Sequence, residues 1–238
     1  MFKPLGIIAL VMLLITQSFC WANSTSTIVT LAAEDSWPPY ANEQGEGISH
    51  NIIQSAFNAV GIKVKFVVAP YARALRLTEQ GQVHGCFNVT KQSTTLRKFR
   101  FGDQKLFDAP VSFYFNKASL LHFDRVEHAP DGMTVGVIIG YEYGDIYLKQ
   151  SHRFTEVKVS NQKQLIGLLR AGKVQTAIMF DKVAEYTLQQ MGLPENVIVK
   201  GPASEPSEIF VAFSKSQQFT EMDWLINQFD QGMRIINQ

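Results

Sequence analysis

The sequence predicts an α/β protein with two similar lobes, each built on a mixed, mostly parallel sheet, joined by two hinge crossings. Three observations support this fold class. Short β-branched and apolar segments alternate with helical segments in the first half of the chain, a second series of the same kind begins at Thr134, and a strand and a helix return at the end. Strands and helices that alternate in this way form parallel sheets covered by helices.

The first series begins at residues 28–33, where β-branched and apolar residues predict a buried strand. This strand stops at Trp37-Pro38-Pro39, because consecutive prolines cannot donate to a sheet ladder. Apolar residues at helical spacing then predict a helix that starts at Ile48 and ends at Gly61, a natural C-terminal stop. The other elements of this series are strands at 63–68 and 83–89, a helix at 72–80, and a strand at 111–115 that crosses between the lobes.

The second series has strands at 134–139, 156–159 and 174–180, and helices at 145–150, 162–171 and 182–191. A connector containing Pro202 and Pro206 follows, and the chain ends in a strand at 209–213 and an amphipathic helix at 219–236. We expect this last strand and helix to return to the first lobe. The predicted division is therefore residues 23–115 together with 207–238 for the first lobe, and 116–206 for the second.

The N-terminal residues have the pattern of a cleavable export signal. Lys3 supplies a positive charge, residues 5–15 are apolar, and the step Cys20-Trp21-Ala22 follows. This pattern is typical of signal peptides, and the apolar run is shorter than the ~20 residues of a membrane-spanning helix. We predict a signal peptide at residues 1–22, cleavage near Ala22 and release into the periplasm. An uncleaved anchor is the alternative, and bulky Phe19 argues against lipid attachment at Cys20.

Charge and cysteine content exclude several functional classes. The 22 basic residues nearly balance the 21 acidic ones, and loss of Lys3 with the signal makes the balance equal. A neutral chain without a basic stripe is a poor candidate for binding nucleic acid. Cys86 would be the one cysteine left, in an apolar stretch that favours a buried thiol. The five histidines lack metal-ligand spacing, and no phosphate loop or dinucleotide motif occurs, so we expect no metal and no cofactor.

Several motifs, in the same order along the chain, resemble those of family 3 periplasmic solute-binding proteins, which serve polar amino-acid ABC transporters. They are Trp37-Pro38-Pro39-Tyr40, Pro70-Tyr71-Ala72-Arg73, the stretch from Thr90 to Arg97, Gly140-Tyr141-Glu142-Tyr143-Gly144, and Asp181-Lys182-Val183-Ala184. The resemblance spans nearly the whole mature chain. It implies a periplasmic-binding-protein-like fold that captures an amino acid or related small polar solute between its lobes for an inner-membrane ABC permease. We also expect the chain to be monomeric.

The resemblance further implies how the site would hold a zwitterionic solute. Arg97 matches the carboxylate-binding arginine of the family, Thr90 the donor beside it, and Tyr71 a stacking position. Asp181, at the end of an apolar strand, matches the residue that pairs with the ammonium group of the solute. The alternatives are that Arg97 is a solvated charge in a basic stretch and that Asp181 caps the following helix. His84 and Gln175 stand where the family usually has aspartate, so the identity of the solute does not carry over.

Other site candidates follow predicted strands, where open α/β sheets bind their ligands. Glu34 is a second candidate for pairing with a cationic group, against simple solvation in a loop. Trp37 and Tyr40 are candidate aromatic walls, against packing on the neighbouring prolines. The loop that opens the second lobe could offer its backbone N–H groups to a carboxylate, from residues Gly140, Tyr141 and Glu142.

Two other functions are also compatible with the sequence. The family includes dehydratases of the prephenate or arogenate type, in which Glu142 or Glu34 could serve as an acid or base. A stand-alone sensory module, whose closed form is recognised by a membrane receptor, is the second alternative. The favoured interpretation, a binding protein, involves no bond chemistry and no catalytic residue.

Overall fold

The computed structural model of the protein describes residues 28–205 and 207–238. The predicted signal peptide at residues 1–22 lies outside these residues. Among the residues that the structure describes, no helix is both long and apolar enough to cross a membrane.

The chain alternates strands and helices along most of its length. The strands are β1 (Ile28–Glu34), β2 (Lys63–Ala69), β3 (Gly85–Thr90), β4 (Arg100–Phe101), β5 (Phe107–Ala109), β6 (Val111–Asn116), β7 (Thr134–Ile138), β8 (Thr155–Val159), β9 (Thr176–Phe180), β10 (Ile198–Ala203) and β11 (Ser207–Phe213). The helices are α1 (Ile48–Ala59), α2 (Tyr71–Glu79), α3 (Ser93–Lys98), α4 (Asp145–Gln150), α5 (Gln162–Arg170), α6 (Asp181–Gln190) and α7 (Met222–Ile236).

These strands form two separate mixed sheets, which confirms the predicted two-lobed α/β fold. The first sheet has the order β2-β1-β3-β11-β4, with β5 also paired to β11, and the second has the order β10-β6-β9-β7-β8. Pairing is parallel within β2-β1-β3 and within β9-β7-β8, while β11 and β6 run antiparallel to their neighbours. The chain passes between the sheets twice, after β5 and after β10.

The position of β6 differs from the predicted lobe division. We expected residues 111–115 to belong to the first lobe, but Val111–Asn116 pairs with β9 and β10 of the second sheet. The sheets therefore separate near Pro110. Every residue of β3 and β9 is buried, because helices cover both faces of a central parallel strand. The division of the chain into folding domains stays a prediction.

The first lobe is closed by α7, which packs against α1. Gly232 of α7 lies so close to α1 that a Cβ atom there would overlap the carbonyl oxygen of Ala56. Phe229 of α7 also packs against Phe57, with ring centroids 5.1 Å apart. The closing helix therefore stabilises the lobe through a close backbone approach as well as through apolar burial.

Gly232→Ala is expected to destabilise the protein by about 1–3 kcal/mol, because the added methyl group forces α1 and α7 apart. Urea unfolding of the purified protein measures this change. Gly167→Ala is the matched control, since Gly167 lies in α5 with open space around a Cβ atom. The control is expected to gain up to about 1 kcal/mol, because alanine lowers the entropy of the unfolded chain. Equal stabilities for the two variants would contradict the close-packing argument.

Candidate functional site

A small cavity lies where the two lobes face each other. Its volume is about 10 Å³, roughly the space of one water molecule. The lining residues lie at or just beyond the carboxyl ends of β1, β3, β7 and β9, or at the start of α2; they are Glu34, Trp37, Tyr71, Asn88, Thr90, Tyr141, Glu142 and Phe180. This is the position at which open α/β sheets place their ligands. The cavity is therefore the candidate binding site.

Two tyrosine–glutamate hydrogen bonds cross the cleft in opposite directions. Tyr71 Oη of the first lobe donates to Glu142 Oε2 of the second at 2.5 Å. Tyr141 Oη of the second lobe donates to Glu34 Oε1 of the first. The two tyrosine rings meet edge to face, with centroids 5.2 Å apart. Each lobe thus supplies one carboxyl group and one phenol, and the two pairs hold the lobes together.

The loop between β7 and α4, together with the first residue of α4, makes several hydrogen bonds across the cleft. Glycines with positive φ, Gly140 at 86° and Gly144 at 92°, let the chain turn at both ends of this loop. Further hydrogen bonds dock the loop on the first lobe: Thr90 Oγ1 to the Glu142 carbonyl oxygen (3.2 Å), the Gly144 N–H to Gln92 Oε1 (3.0 Å) and Ser93 Oγ to Asp145 Oδ1 (2.6 Å). Because the docked loop leaves only 10 Å³, a solute must displace some of these contacts to enter.

Burial sets the proton affinity of the two glutamates. Glu34 is only 2% exposed, and its burial raises the pKa to about 8, against a lowering by the Tyr141 hydroxyl. Desolvation also raises the pKa of Glu142 to about 8, against a lowering by the Tyr71 hydroxyl. Both carboxyl groups therefore hold a proton more tightly in this closed arrangement than they would in water. A cationic partner would reverse this shift, because it stabilises the ionised form.

Two buried hydrogen-bond donors at the cavity have no partner among the residues that the structure describes. They are Trp37 Nε1 and Asn88 Nδ2. The carbonyl side of the Asn88 amide is occupied, since it accepts from Ser49 Oγ at 2.5 Å. Buried polar groups normally find a partner, so an acceptor atom that reached either donor would gain a hydrogen bond. Asn88 was not a candidate from the sequence; its one sequence signal is a polar residue near the end of an otherwise apolar strand.

Most of the site candidates from the sequence meet at this cavity. Glu34, Trp37, Tyr71, Thr90, Tyr141 and Glu142 all line it. Gly140 lies beside it, because a Cβ atom at Gly140 would come within 3.7 Å of the ring of Tyr71, which lines the cavity. We expected Tyr141 and Glu142 to contribute their backbone N–H groups. In the structure their side chains make the hydrogen bonds across the cleft. The ligand role of each of these residues stays a prediction.

Three candidates lie outside the cavity lining. Tyr40 is buried outside the cavity lining and stacks on Phe107 with ring centroids 4.4 Å apart, not on the neighbouring prolines that were its expected packing partners. Arg97 is exposed in the last turn of α3. Asp181 is buried at the start of α6, where it accepts from Tyr114 Oη at 2.9 Å and Lys200 Nζ at 2.6 Å. Its carboxylate therefore has two partners within the second lobe.

A wider polar groove lies between the lobes on the outside of this site. Its volume is about 530 Å³, and its lining includes Asp35 from the first lobe and Gln162 from the second. Gln162 Oε1 is buried and has no partner among the described residues. Asp35 follows Glu34 directly in the chain. The groove therefore provides polar, solvent-accessible surface next to the β1 end of the cavity.

Comparisons with known proteins identify the fold. An ancestral arginine-binding protein bound to arginine superimposes with a TM-score of 0.71 at 17% identity, over 88% of this chain and 92% of that one. The GluR0 ligand-binding core from Nostoc punctiforme in complex with L-glutamate gives 0.71 at 13% identity, over 88% and 92%. A histidine kinase sensor domain with similarity to periplasmic binding proteins gives 0.72 at 14% identity, over 88% and 90%. No family model and no curated protein matches the sequence. The chain has the two-lobed fold of periplasmic binding proteins.

Proposed function

We propose that this chain, a protein with the periplasmic-binding-protein fold, is a divergent family 3 solute-binding protein that is exported to the periplasm. It captures a small polar solute that carries an amino group and delivers it to an inner-membrane ABC permease. The observation that carries the proposal is the pair of carboxyl groups, Glu34 and Glu142, that face one aromatic cavity from opposite lobes. The names of the similar structures, which include arginine- and glutamate-binding proteins, support it.

The geometry suggests how occupancy would be coupled to closure. In the closed arrangement each glutamate accepts from a tyrosine of the opposite lobe. An ammonium group that enters the cleft would replace a phenol as the partner of the carboxylate, and charge-assisted hydrogen bonds are stronger than neutral ones. The same two lobes would then close around the solute instead of on each other. Closure around a solute is the signal that a permease or a receptor recognises.

A receptor-linked sensor is the second candidate function. A histidine kinase sensor domain is among the similar structures, at a TM-score of 0.72. The two candidates share the solute site and differ in the partner that recognises the closed form. The dehydratase alternative differs in chemistry, since Glu34 or Glu142 would then act as an acid or base on a bound substrate.

Solute binding is expected to raise the melting temperature of the purified mature protein. At a solute concentration 100 times the Kd, the free energy of unfolding rises by about 2.7 kcal/mol. This corresponds to an increase in melting temperature of roughly 5–10 °C for a chain of this size. A thermal-shift screen of amino acids, amines and aromatic acids measures it, with parallel assays for loss of prephenate and arogenate. The double variant Glu34→Gln/Glu142→Gln is expected to lose the shift. Glu127→Gln, an exposed residue outside the cleft, is the matched control that keeps it.

Two results would contradict the proposal. Turnover of prephenate or arogenate would establish the enzyme alternative instead. A solute shift that persists in the double glutamine variant would move the binding site away from this cavity.

A further inference from the structure

We infer that the solute is an organic dication without a carboxylate, a short aliphatic diamine or aminoguanidine whose two cationic ends pair with Glu34 and Glu142. This inference rests on the proposed function and narrows it from an amino-acid-like solute to one chemical class. Three features of the cavity support it: its charges, its shape and its hydrogen-bond donors.

The carboxyl groups that line the cavity have no basic partner in the part of the chain that the structure describes. Among the described residues, the lining contains two glutamates and no lysine, arginine or histidine. Asp35 adds a further negative charge that acts on Glu34. One positive charge acts on Glu142, that of Lys98, but this side chain is exposed and pairs with Glu79 at 3.6 Å. Both glutamates ionise when a cationic group displaces their tyrosine partners. A zwitterion has no net charge and would leave the two negative charges of the glutamates without net compensation, whereas a dication would neutralise them.

The walls of the cavity fit the body of such a solute. Trp37, Tyr71, Tyr141 and Phe180 provide aromatic surface, against which methylene groups pack and ammonium groups make favourable contacts. The two carboxyl groups belong to different lobes, Glu34 at the end of β1 and Glu142 in the loop after β7. A solute with a cationic group at each end would therefore bridge the lobes. The bridge would replace the two tyrosine–glutamate hydrogen bonds one for one.

A carboxylate on the solute would find no cation among the described residues that line this site. The side-chain donors there are neutral: Trp37 Nε1 and Asn88 Nδ2, which have no partner in the described part of the chain, and the hydroxyl of Thr90, which donates to the Glu142 carbonyl oxygen in the closed form. Buried carboxylates are usually held by a forked guanidinium. The arginine expected for that purpose, Arg97, is exposed on α3 and does not line the cavity. The neutral donors can instead satisfy the oxygens of Glu34 and Glu142 once their tyrosine partners are displaced.

Matched pairs that differ only by a carboxylate test this inference. Isothermal titration calorimetry of the full mature protein would compare lysine with 1,5-diaminopentane and arginine with its decarboxylated form, 4-aminobutylguanidine. The decarboxylated member of each pair is expected to bind at least 100-fold more tightly. Pentylamine, which has one amino group, is expected to bind at least tenfold more weakly than 1,5-diaminopentane.

Variants assign the two ends of the solute. Glu34→Gln and Glu142→Gln are each expected to weaken binding of 1,5-diaminopentane at least 30-fold, while Glu127→Gln and Arg97→Ala leave it within twofold. Two results would overturn the inference and leave the proposed solute-binding function intact. One is that lysine binds as tightly as 1,5-diaminopentane or more tightly, and the other is that Arg97→Ala loses affinity for lysine. Absence of binding by every amine and every amino acid would overturn both.

Discussion

Glu34→Gln is expected to make the protein more stable while it removes solute binding. Glu34 is 2% exposed, and its burial raises the pKa of its carboxyl group to about 8 from 4.5. At pH 7 the protein must hold a proton that water would remove, which costs up to about 3 kcal/mol. Glutamine keeps an oxygen that can accept from Tyr141 and has no proton to hold. The variant is therefore expected to gain roughly 1–3 kcal/mol in urea unfolding at pH 7.

The size of this effect depends on pH. A carboxyl group whose pKa is higher in the folded state binds more protons folded than unfolded. With respect to Glu34, the natural protein is therefore most stable below pH 4.5 and loses stability as the pH rises to about 8. The advantage of Glu34→Gln is expected to be absent near pH 4.5, to grow between pH 5 and 8, and to be constant above that.

Asp181→Asn is the matched control, because it neutralises a buried carboxylate that does have a cation. Asp181 pairs with Lys200 at 2.6 Å and with Tyr114 at 2.9 Å. This variant is expected to lose roughly 1–3 kcal/mol, a change opposite in sign to that of Glu34→Gln. Loss of stability in both variants would show that Glu34 is held by contacts that favour its ionised form, and the argument from its burial would fail.

The sequence predicts the fold better than the site. The buried strands are largely apolar segments, such as residues 28–33 and 174–180, and such segments are recognisable without tertiary information. The strands that were missed, β4, β5 and β10, are short or lie at sheet edges, where burial imposes little pattern. Pro202, which suggested a connector, lies in β10, an edge strand that tolerates proline.

Side-chain partners across the fold could not be predicted in the same way. The position of Asp181 after a strand was correct, but its pairing with Lys200 depends on how β10 and β6 align in the second sheet. Likewise, Glu34 lies 107 positions before Tyr141 in the sequence, and the two side chains become partners only in the closed cleft. The short helix α3, which was not predicted, places Arg97 at the surface. Local pattern identified the ends of strands, and tertiary packing decided which side chains meet there.

Raising the pH from 6 to 9 is expected to open the cleft of the protein in the absence of added solute. In the closed arrangement desolvation raises the pKa of Glu34 and of Glu142 to about 8. The negative charges of Asp35 and Glu142 contribute to the raised pKa of Glu34, while the positive charge of Lys98 acts to lower the pKa of Glu142. In an open cleft both carboxyl groups meet water, and their pKa returns toward 4.5. The closed form therefore binds more protons, and closure weakens as the pH rises toward 8. Each group contributes up to a tenfold change per pH unit to the ratio of closed to open protein. We therefore expect this ratio to fall at least 100-fold between pH 6 and pH 9.

Small-angle X-ray scattering of the purified protein measures this opening as an increase in the radius of gyration between pH 6 and pH 9. The double variant Glu34→Gln/Glu142→Gln is expected to stay compact at both values, because glutamine does not ionise and still accepts from Tyr71 and Tyr141. Addition of 1,5-diaminopentane at pH 9 is expected to restore the compact form of the natural protein, since the ionised glutamates then have a cation between them. The same linkage requires the affinity of the natural protein for 1,5-diaminopentane to rise with pH up to about 8. A radius that stays constant from pH 6 to 9 in the natural protein, or that grows equally in the double variant, would show that the two carboxyl groups do not control closure.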